Sequence, residues 1–303
     1  MITAKHLAKR FKNKLAVDDL TFTVETGKVT GFLGPNGAGK STTMRLMLGL
    51  DAGRGTTTFD GKPLNSYAKP AHMVGILLEA KAFHPTRSAR NHLRILATAG
   101  GVPQARVDEV LRIVGLHDVA KAKPGKFSLG MSQRLGIAAA ILGKPKFLML
   151  DEPANGLDPE GIAWLRQFLK DYADQGNAVF VSSHLLSEMA LMADNVVVIG
   201  KGKLIAETSI SDLVNGSGRS SVFVRVTHPD RFGASLTKAK ISFDRVDGGF
   251  KISGQTTDTI GRLAFADQLT ILELANHKAS LEDAFFELTA GTTEFSGDGG
   301  AKS

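Results

Sequence analysis

Residues 34–42 read GPNGAGKST, and this stretch decides the fold. It follows an apolar run, Val29–Leu33, and precedes Lys40–Leu48, where the apolar spacing predicts a helix. The three glycines let the backbone turn so that its N–H groups point at phosphate oxygens, and the positive end of the helix adds to that anion site. A plain glycine-rich turn is the alternative. The position between a strand and a helix favours a phosphate-binding loop, or P-loop.

Every residue of this loop is a candidate nucleotide contact. Lys40 is predicted to reach the β- and γ-phosphates, and the hydroxyl of Ser41 to bind Mg²⁺. The full set comprises Gly34, Pro35, Asn36, Gly37, Ala38, Gly39, Lys40, Ser41 and Thr42. A P-loop alone does not distinguish among kinases, GTPases and ATPases.

An acid pair narrows that choice. The segment Lys146–Pro153 reads KFLMLDEP, an apolar strand that ends in two carboxylates. Ligands of parallel sheets bind at the carboxyl ends of strands, so Asp151 is placed to orient Mg²⁺ and Glu152 to polarise an attacking water. Two acids that merely cap a buried strand are the alternative. Downstream of a P-loop we favour phosphoryl transfer, which needs both a metal holder and a water holder.

The rest of the chain is organised around these motifs. Alternating strand and helix patterns predict a parallel sheet with crossover helices, and Thr56–Leu64 looks like a hairpin with its turn at Asp60-Gly61. The composition turns to linker at 215–221 (NGSGRSS). We therefore predict a domain at 1–214 with a helical subdomain at about 85–142, a small α+β domain at 215–290, and a disordered tail at 291–303. The small domain has the order β-α-β-β-α-β, which resembles a ferredoxin-like module.

Composition excludes several classes of function. Cysteine is absent, which excludes disulfides, Cys-ligated zinc and thiol nucleophiles. The formal charge of +7 fits nucleic acid, an anionic membrane surface or a polyphosphate ligand, and does not choose among them. No run reaches the roughly 18 uncharged apolar residues of a membrane-spanning helix. Any membrane role is therefore expected to come through a partner chain.

A family resemblance rests on Phe127–Arg134, which reads FSLGMSQR and resembles LSGGQ, the signature of the ATP-binding cassette (ABC) family. The order P-loop, signature, acid pair is also that family's order, and the resemblance spans about residues 1–215. It implies an α/β fold: a P-loop NTPase core with an antiparallel β subdomain and a helical insertion, plus a small α+β C-terminal domain. It also implies ATP hydrolysis with Mg²⁺, coupled to transport.

The resemblance assigns a second group of site residues at the contact with another copy, where the signature faces that copy's γ-phosphate. They are Ser128, Leu129, Gly130 and Met131 of the signature, of which Leu129 and Met131 depart from the family pattern, and Asp158 of the D-loop-like NGLDP segment. A serine that caps an ordinary helix is the alternative for Ser128.

His184, in SSHLL, matches the switch histidine that touches the γ-phosphate, although a lone histidine is more often structural. With it, the predicted catalytic residues are Glu152, His184 and Lys40.

Two further positions are ambiguous. Phe11 lies where the family places an aromatic ring on adenine, but a buried strand phenylalanine is the alternative. Glu79, in ILLEAKAF, aligns with the glutamine that reads the γ-phosphate and Mg²⁺. A glutamate there either strengthens metal binding or repels the γ-phosphate. With the first alternative, the predicted metal ligands are Ser41, Glu79 and Asp151. This segment resembles exporters of the bacitracin and multidrug resistance type.

Three functions follow as hypotheses. The first is an exporter ATPase on the cytoplasmic face of the membrane, which pairs on ATP binding with a second copy or a homologous cassette, and with a separate integral membrane subunit. The second acts on nucleic acid or ribosomes. The single P-loop and the lack of long heptad runs disfavour it, so no nucleic-acid partner is expected. The third is a non-catalytic regulator, which Glu152 disfavours. The membrane partner would choose the transported substrate.

Overall fold

The computed structural model describes residues 1–12, 14–216, 221–246, 248–277 and 281–289. Its contacts define two units, Met1–Ser209 and Ile210–Ala290. The predicted boundary after residue 214 lies inside a helix, α7 (Ile210–Gly216), because residues 215 and 216 close that helix rather than begin a linker. The predicted tail at 291–303 lies outside the described residues.

The first unit contains two sheets. Strands β1 (Ile2–Phe11), β2 (Lys14–Val24) and β4 (Arg54–Phe59) form an antiparallel sheet of order β2-β1-β4. The second sheet comprises β3 (Lys28–Leu33), β5 (Val74–Leu77), β6 (Phe147–Leu150), β7 (Ala178–Ser182), β8 (Asn195–Gly200) and β9 (Lys203–Ser209). Its order is β5-β6-β7-β3-β8-β9, and every neighbouring pair is parallel except β8 and β9.

The helices of this unit follow the strands. They are α1 (Lys40–Met47), α2 (Ala89–Ala99), α3 (Ala105–Ile113), α4 (Leu129–Ala140), α5 (Pro159–Asp174) and α6 (Leu186–Met192), with short 3₁₀ turns at Leu64–Ser66, Pro70–His72 and Pro124–Lys126. The predicted α/β class with a helical insertion is confirmed. The hairpin predicted at Thr56–Leu64 is wrong, because β4 pairs with β1 and only an isolated bridge, Phe59 to Lys62, closes the turn.

The core fixes where the functional loops meet. Strands β6 and β7 are buried along their whole length, as expected of strands covered on both faces. The rings of Phe22, Phe32 and Phe180 contact one another at centroid distances of 4.9–5.8 Å and join the two sheets. Because β6, β7 and β3 are parallel neighbours, the loops that leave their carboxyl ends open onto one edge.

The second unit begins with α7 and continues with β10 (Ser221–Val226), α8 (Pro229–Lys238), β11 (Phe243–Val246), β12 (Gly249–Ser253), α9 (Thr257–Ala266), β13 (Ile271–His277) and α10 (Leu281–Thr289). Its antiparallel sheet has the order β11-β12-β10-β13. The inward residues of the sheet, such as Val222 and Phe250, pack with Phe232 of α8 and Ile260 of α9. From β10 to β13 the elements follow the order β-α-β-β-α-β.

Among the residues described, we find no helix with both the length and the apolarity that crossing a bilayer requires.

Candidate active site

The phosphate loop joins β3 to α1 and is shaped by its glycines. Gly37 and Gly39 have φ values of 80° and 105°, which disfavour any residue with a side chain. A Cβ on Gly39 would lie 2.5 Å from the backbone oxygen of Ala16, so this glycine also permits a close approach. Gly39 caps α1 and has no side chain to occupy the first-turn N–H groups. The cradle therefore fits a phosphate, which would accept from these N–H groups.

Lys40, the first residue of α1, is held inside the loop. Its side chain is only 8% exposed, and its Nζ donates to the carbonyl oxygen of Gly34 at 2.7 Å. Burial lowers the pKa of Lys40, and the charges of Glu152 and Asp151 partly oppose that shift. Nζ lies 3.9 Å from Oε1 of Glu152. A buried cation with so few partners is suited to an anionic ligand.

The acid pair leaves the end of β6 and is held by the neighbouring strand. The hydroxyl of Ser182, the last residue of β7, donates to Oδ1 of Asp151 at 2.5 Å and accepts from the backbone N–H of Glu152 at 2.9 Å. Glu152 itself has φ of 49°, in the left-handed region that is unfavourable for glutamate. Strained backbone of this kind is concentrated at functional sites.

The three predicted catalytic side chains lie together. His184 follows β7, its Nδ1 lies 2.7 Å from Oε2 of Glu152, and its backbone N–H donates to the same oxygen at 3.3 Å. The other carboxylate oxygen of Glu152 is the one that faces Lys40. The two oxygens therefore have different partners, which fixes the orientation of the carboxylate.

The predicted metal ligands are arranged less tightly. Ser41 lies exposed on the first turn of α1, and Asp151 is already paired with Ser182. Glu79 follows β5 and is exposed. Its charge adds to the raised pKa of Arg45, of which Asp51 is the main cause. No group of three His, Cys, Asp or Glu side chains within the described ranges is placed to hold a metal ion. A hydroxyl and a carboxylate fit Mg²⁺, which takes most of its ligands from phosphates and water.

The signature residues lie at the start of α4. Ser128 is the N-cap of this helix, and its Oγ accepts from the backbone N–H of Met131 at 3.1 Å. Leu129 is 45% exposed. A Cβ on Gly130 would lie 2.8 Å from the backbone oxygen of Gly156, so this glycine lets the helix approach the NGLDP segment closely.

Asp158 caps the next helix. Its Oδ1 accepts from the N–H of Gly161 at 3.0 Å, in the first turn of α5. Within a single copy, the polar groups of both Ser128 and Asp158 therefore satisfy helix ends.

Phe11 is the last residue of β1. It is exposed, so the alternative that it is a buried strand phenylalanine is wrong. Its ring is 48% exposed, and Nζ of Lys9 lies 4.9 Å from the ring centroid. An exposed face is available for stacking.

Sequence reasoning does not single out two residues that hold the acid pair. They are Ser182 and Gln133, whose Nε2 donates to the backbone oxygen of Glu152 at 3.1 Å. The only local signals are that Ser182 lies inside SSHLL and Gln133 inside FSLGMSQR.

Fold and geometry thus define a P-loop protein with an acid pair and a histidine at the phosphate site. Residues 17–155 match the family model described as ABC transporter, and residues 220–282 match one described as a domain of unknown function. The chain is 38% identical to an uncharacterized ABC transporter ATP-binding protein of Bacillus subtilis (strain 168), over 97% of each chain. It is 35% identical to a bacitracin transport ATP-binding protein of Enterococcus faecalis, over 96% of this chain and 97% of that protein.

A solved ATP-binding subunit of an ABC transporter superposes with a TM-score of 0.66 at 28% identity, covering 72% of this chain and 93% of that one. The chain belongs to the family of ABC transporter ATP-binding proteins. It binds and hydrolyses ATP, with Mg²⁺ as the metal.

Proposed function

We propose that this chain drives export of a drug or peptide by closing as a pair of copies on ATP and reopening after hydrolysis. The observation that carries the proposal is the contact of Glu152 with both Lys40 and His184 beside an uncapped phosphate loop. The relative from Enterococcus faecalis is a bacitracin transport protein, which supports the substrate class.

The chain's own groups have separate roles in this proposal. The loop N–H groups of Gly34–Thr42 and the Lys40 ammonium bind the phosphates, and Phe11 stacks on the adenine. Glu152 orients the attacking water, because its carboxylate is held between His184 and Lys40. When bound by Ser41 and Asp151, with Glu79 nearby, Mg²⁺ supplies positive charge to the phosphate oxygens.

The second copy would complete the site. Ser128, Leu129, Gly130 and Met131 present the N-terminal end of α4, which is favourable for the γ-phosphate held by the partner. Asp158 would lie at the same contact. Closure would then require the γ-phosphate, since without it the two surfaces lose the group that joins them.

A groove in the first unit would receive the membrane subunit. It has a volume of about 940 Å³ and lies among β5, α2 and α4. Three of its lining residues, Leu50, Ile76 and Leu96, are large apolar side chains that are 38–51% exposed. An apolar groove of this kind suits an amphipathic helix of a partner. The chain would therefore lie on the cytoplasmic face of the membrane, and Ile210–Ala290 would be a ferredoxin-like accessory domain.

The test is nucleotide-driven pairing of a hydrolysis-deficient variant. In Glu152→Gln, ATP turnover should fall by about 10²- to 10⁴-fold, and Mg²⁺-ATP should convert the protein to a dimer in size-exclusion chromatography. Glu160→Gln, a change of an exposed acid in the first turn of α5, is the matched control and should behave as the wild type. Equal, negligible turnover of wild type and Glu152→Gln would favour a non-catalytic regulator. A monomer at high concentration with ATP and the membrane subunit present would refute the pairing.

A further inference from the structure

The backbone of Glu152 is held at both its N–H and its carbonyl oxygen by side chains from different elements. Its N–H donates to Ser182 of β7, and its carbonyl oxygen accepts from Nε2 of Gln133 in α4 at 3.1 Å, with a second, longer bond from the N–H of Asn155 at 3.2 Å. The left-handed φ of 49° is unfavourable for glutamate, so these contacts act against a tendency of the backbone to relax.

Gln133 has features that a packing role does not explain. It is only 4% exposed, and its Oε1 is buried without a hydrogen-bond partner among the residues the structure describes. An unpaired buried acceptor is unfavourable, and a methionine of similar size would avoid it. Within the described part of the chain, the amide makes one hydrogen bond, to the backbone oxygen of Glu152, and this bond explains why an amide stands here.

We propose that Gln133 is a positioning residue for hydrolysis: its amide holds the backbone of Glu152 and thereby places the catalytic carboxylate. This inference rests on the proposed function. Gln133 and the signature cap Ser128 belong to the same helix, α4. The helix end that would face the partner's nucleotide is thus connected to the catalytic carboxylate of its own copy.

The first experiment compares Gln133→Met with wild type in steady-state ATP hydrolysis. Loss of the hydrogen bond should lower kcat about 5- to 10-fold, with the KM for ATP unchanged within about 2-fold, because the phosphate loop is untouched. Gln167→Met is the matched control, since Gln167 is exposed and its side chain bonds to Asp171 in the same helix, so its kcat should stay at the wild-type value. An unaltered kcat in Gln133→Met would overturn the proposal.

The second experiment separates positioning from packing by pH. In Gln133→Glu, a protonated carboxyl group can donate to the oxygen of Glu152, whereas an ionised one cannot, and burial raises the pKa of such a group. The kcat ratio of Gln133→Glu to wild type should therefore rise several-fold as pH falls from about 8.5 to about 6. The ratio for Gln133→Met should stay flat. The neighbouring titratable groups Asp151, Glu152, Lys40 and His184 are present in all three proteins.

The outcomes distinguish this inference from the function on which it rests. If wild type hydrolyses ATP and Glu152→Gln pairs on ATP, but both Gln133 variants give the same flat ratio, only the positioning role fails. If wild type shows no hydrolysis, the proposed function fails. A Gln133→Met protein that no longer binds Mg²⁺-ATP would indicate disrupted packing and would also count against the positioning role.

Discussion

Replacing Ser182 with alanine should both destabilise the first unit and slow hydrolysis. The hydroxyl is fully buried, donates to the carboxylate of Asp151 at 2.5 Å and accepts from the N–H of Glu152 at 2.9 Å. A hydrogen bond to a charged group contributes about 1.5–3 kcal/mol and a neutral one about 0.5–1.5 kcal/mol. The free energy of unfolding should therefore fall by about 2–4 kcal/mol. Because the backbone N–H of Glu152 loses its acceptor, the carboxylate is held less firmly, and kcat should fall by about 10-fold or more.

The chain offers a specific probe for this measurement. Trp164 is its single tryptophan and lies in α5 of the first unit, so urea unfolding followed by tryptophan fluorescence reports that unit. Ser66→Ala is the control, because it also removes a 2.7 Å hydrogen bond but at an exposed site, and should change stability by less than about 0.5 kcal/mol. A Ser182→Ala protein as stable as this control, or with wild-type kcat, would refute the reasoning.

Three further changes test the loop around the phosphates. Lys40→Met should abolish stabilisation by Mg²⁺-ATP in a thermal shift assay. Burial lowers the pKa of Lys40 below its ordinary value of 10.5. The stability that Lys40 contributes is therefore complete above pH 10.5 and is lost as pH falls through the lowered pKa. Wild type should therefore gain stability relative to Lys40→Met as pH rises toward 10.5 in urea unfolding, and a constant difference would contradict this. Gly39→Ala should destabilise by about 1–3 kcal/mol and weaken ATP binding in a titration, since φ is 105° and the oxygen of Ala16 is too close. Phe11→Ala should raise the KM for ATP by about 5-fold or more through lost stacking, with little change in melting temperature because the ring is 48% exposed.

The phosphate loop could be predicted because each of its requirements is local. The sequence predicts that Lys40 opens a helix, and it does so in α1, while Gly37 and Gly39 before it have positive φ values. The acid pair was equally accessible, because an apolar run before Asp151 is enough to place it at a strand end. Spacing along the chain carries this information.

The contacts that hold Glu152 could not be predicted in the same way. Ser182 lies 31 residues from Asp151 and Gln133 lies 19 residues from Glu152, so their pairing depends on strand order and helix placement. The incorrect hairpin prediction has the same origin. Asp60-Gly61 is a turn, but β4 pairs with β1, which lies far earlier in the sequence, and not with the residues that follow the turn. Local propensity does not identify which strand completes a sheet.

The geometry of the acid pair would make this site sensitive to motion elsewhere in the first unit. Glu152 is only partly buried, and its placement depends on polar contacts from β7, α4 and the loop after β7 rather than on tight apolar packing. Hydrogen bonds weaken steeply as their geometry departs from the optimum. A small displacement of α4 would therefore change the position of this carboxylate while the buried strand β6 stays in place. The rate of hydrolysis would then follow the position of this helix, which is the property that a nucleotide-driven switch requires.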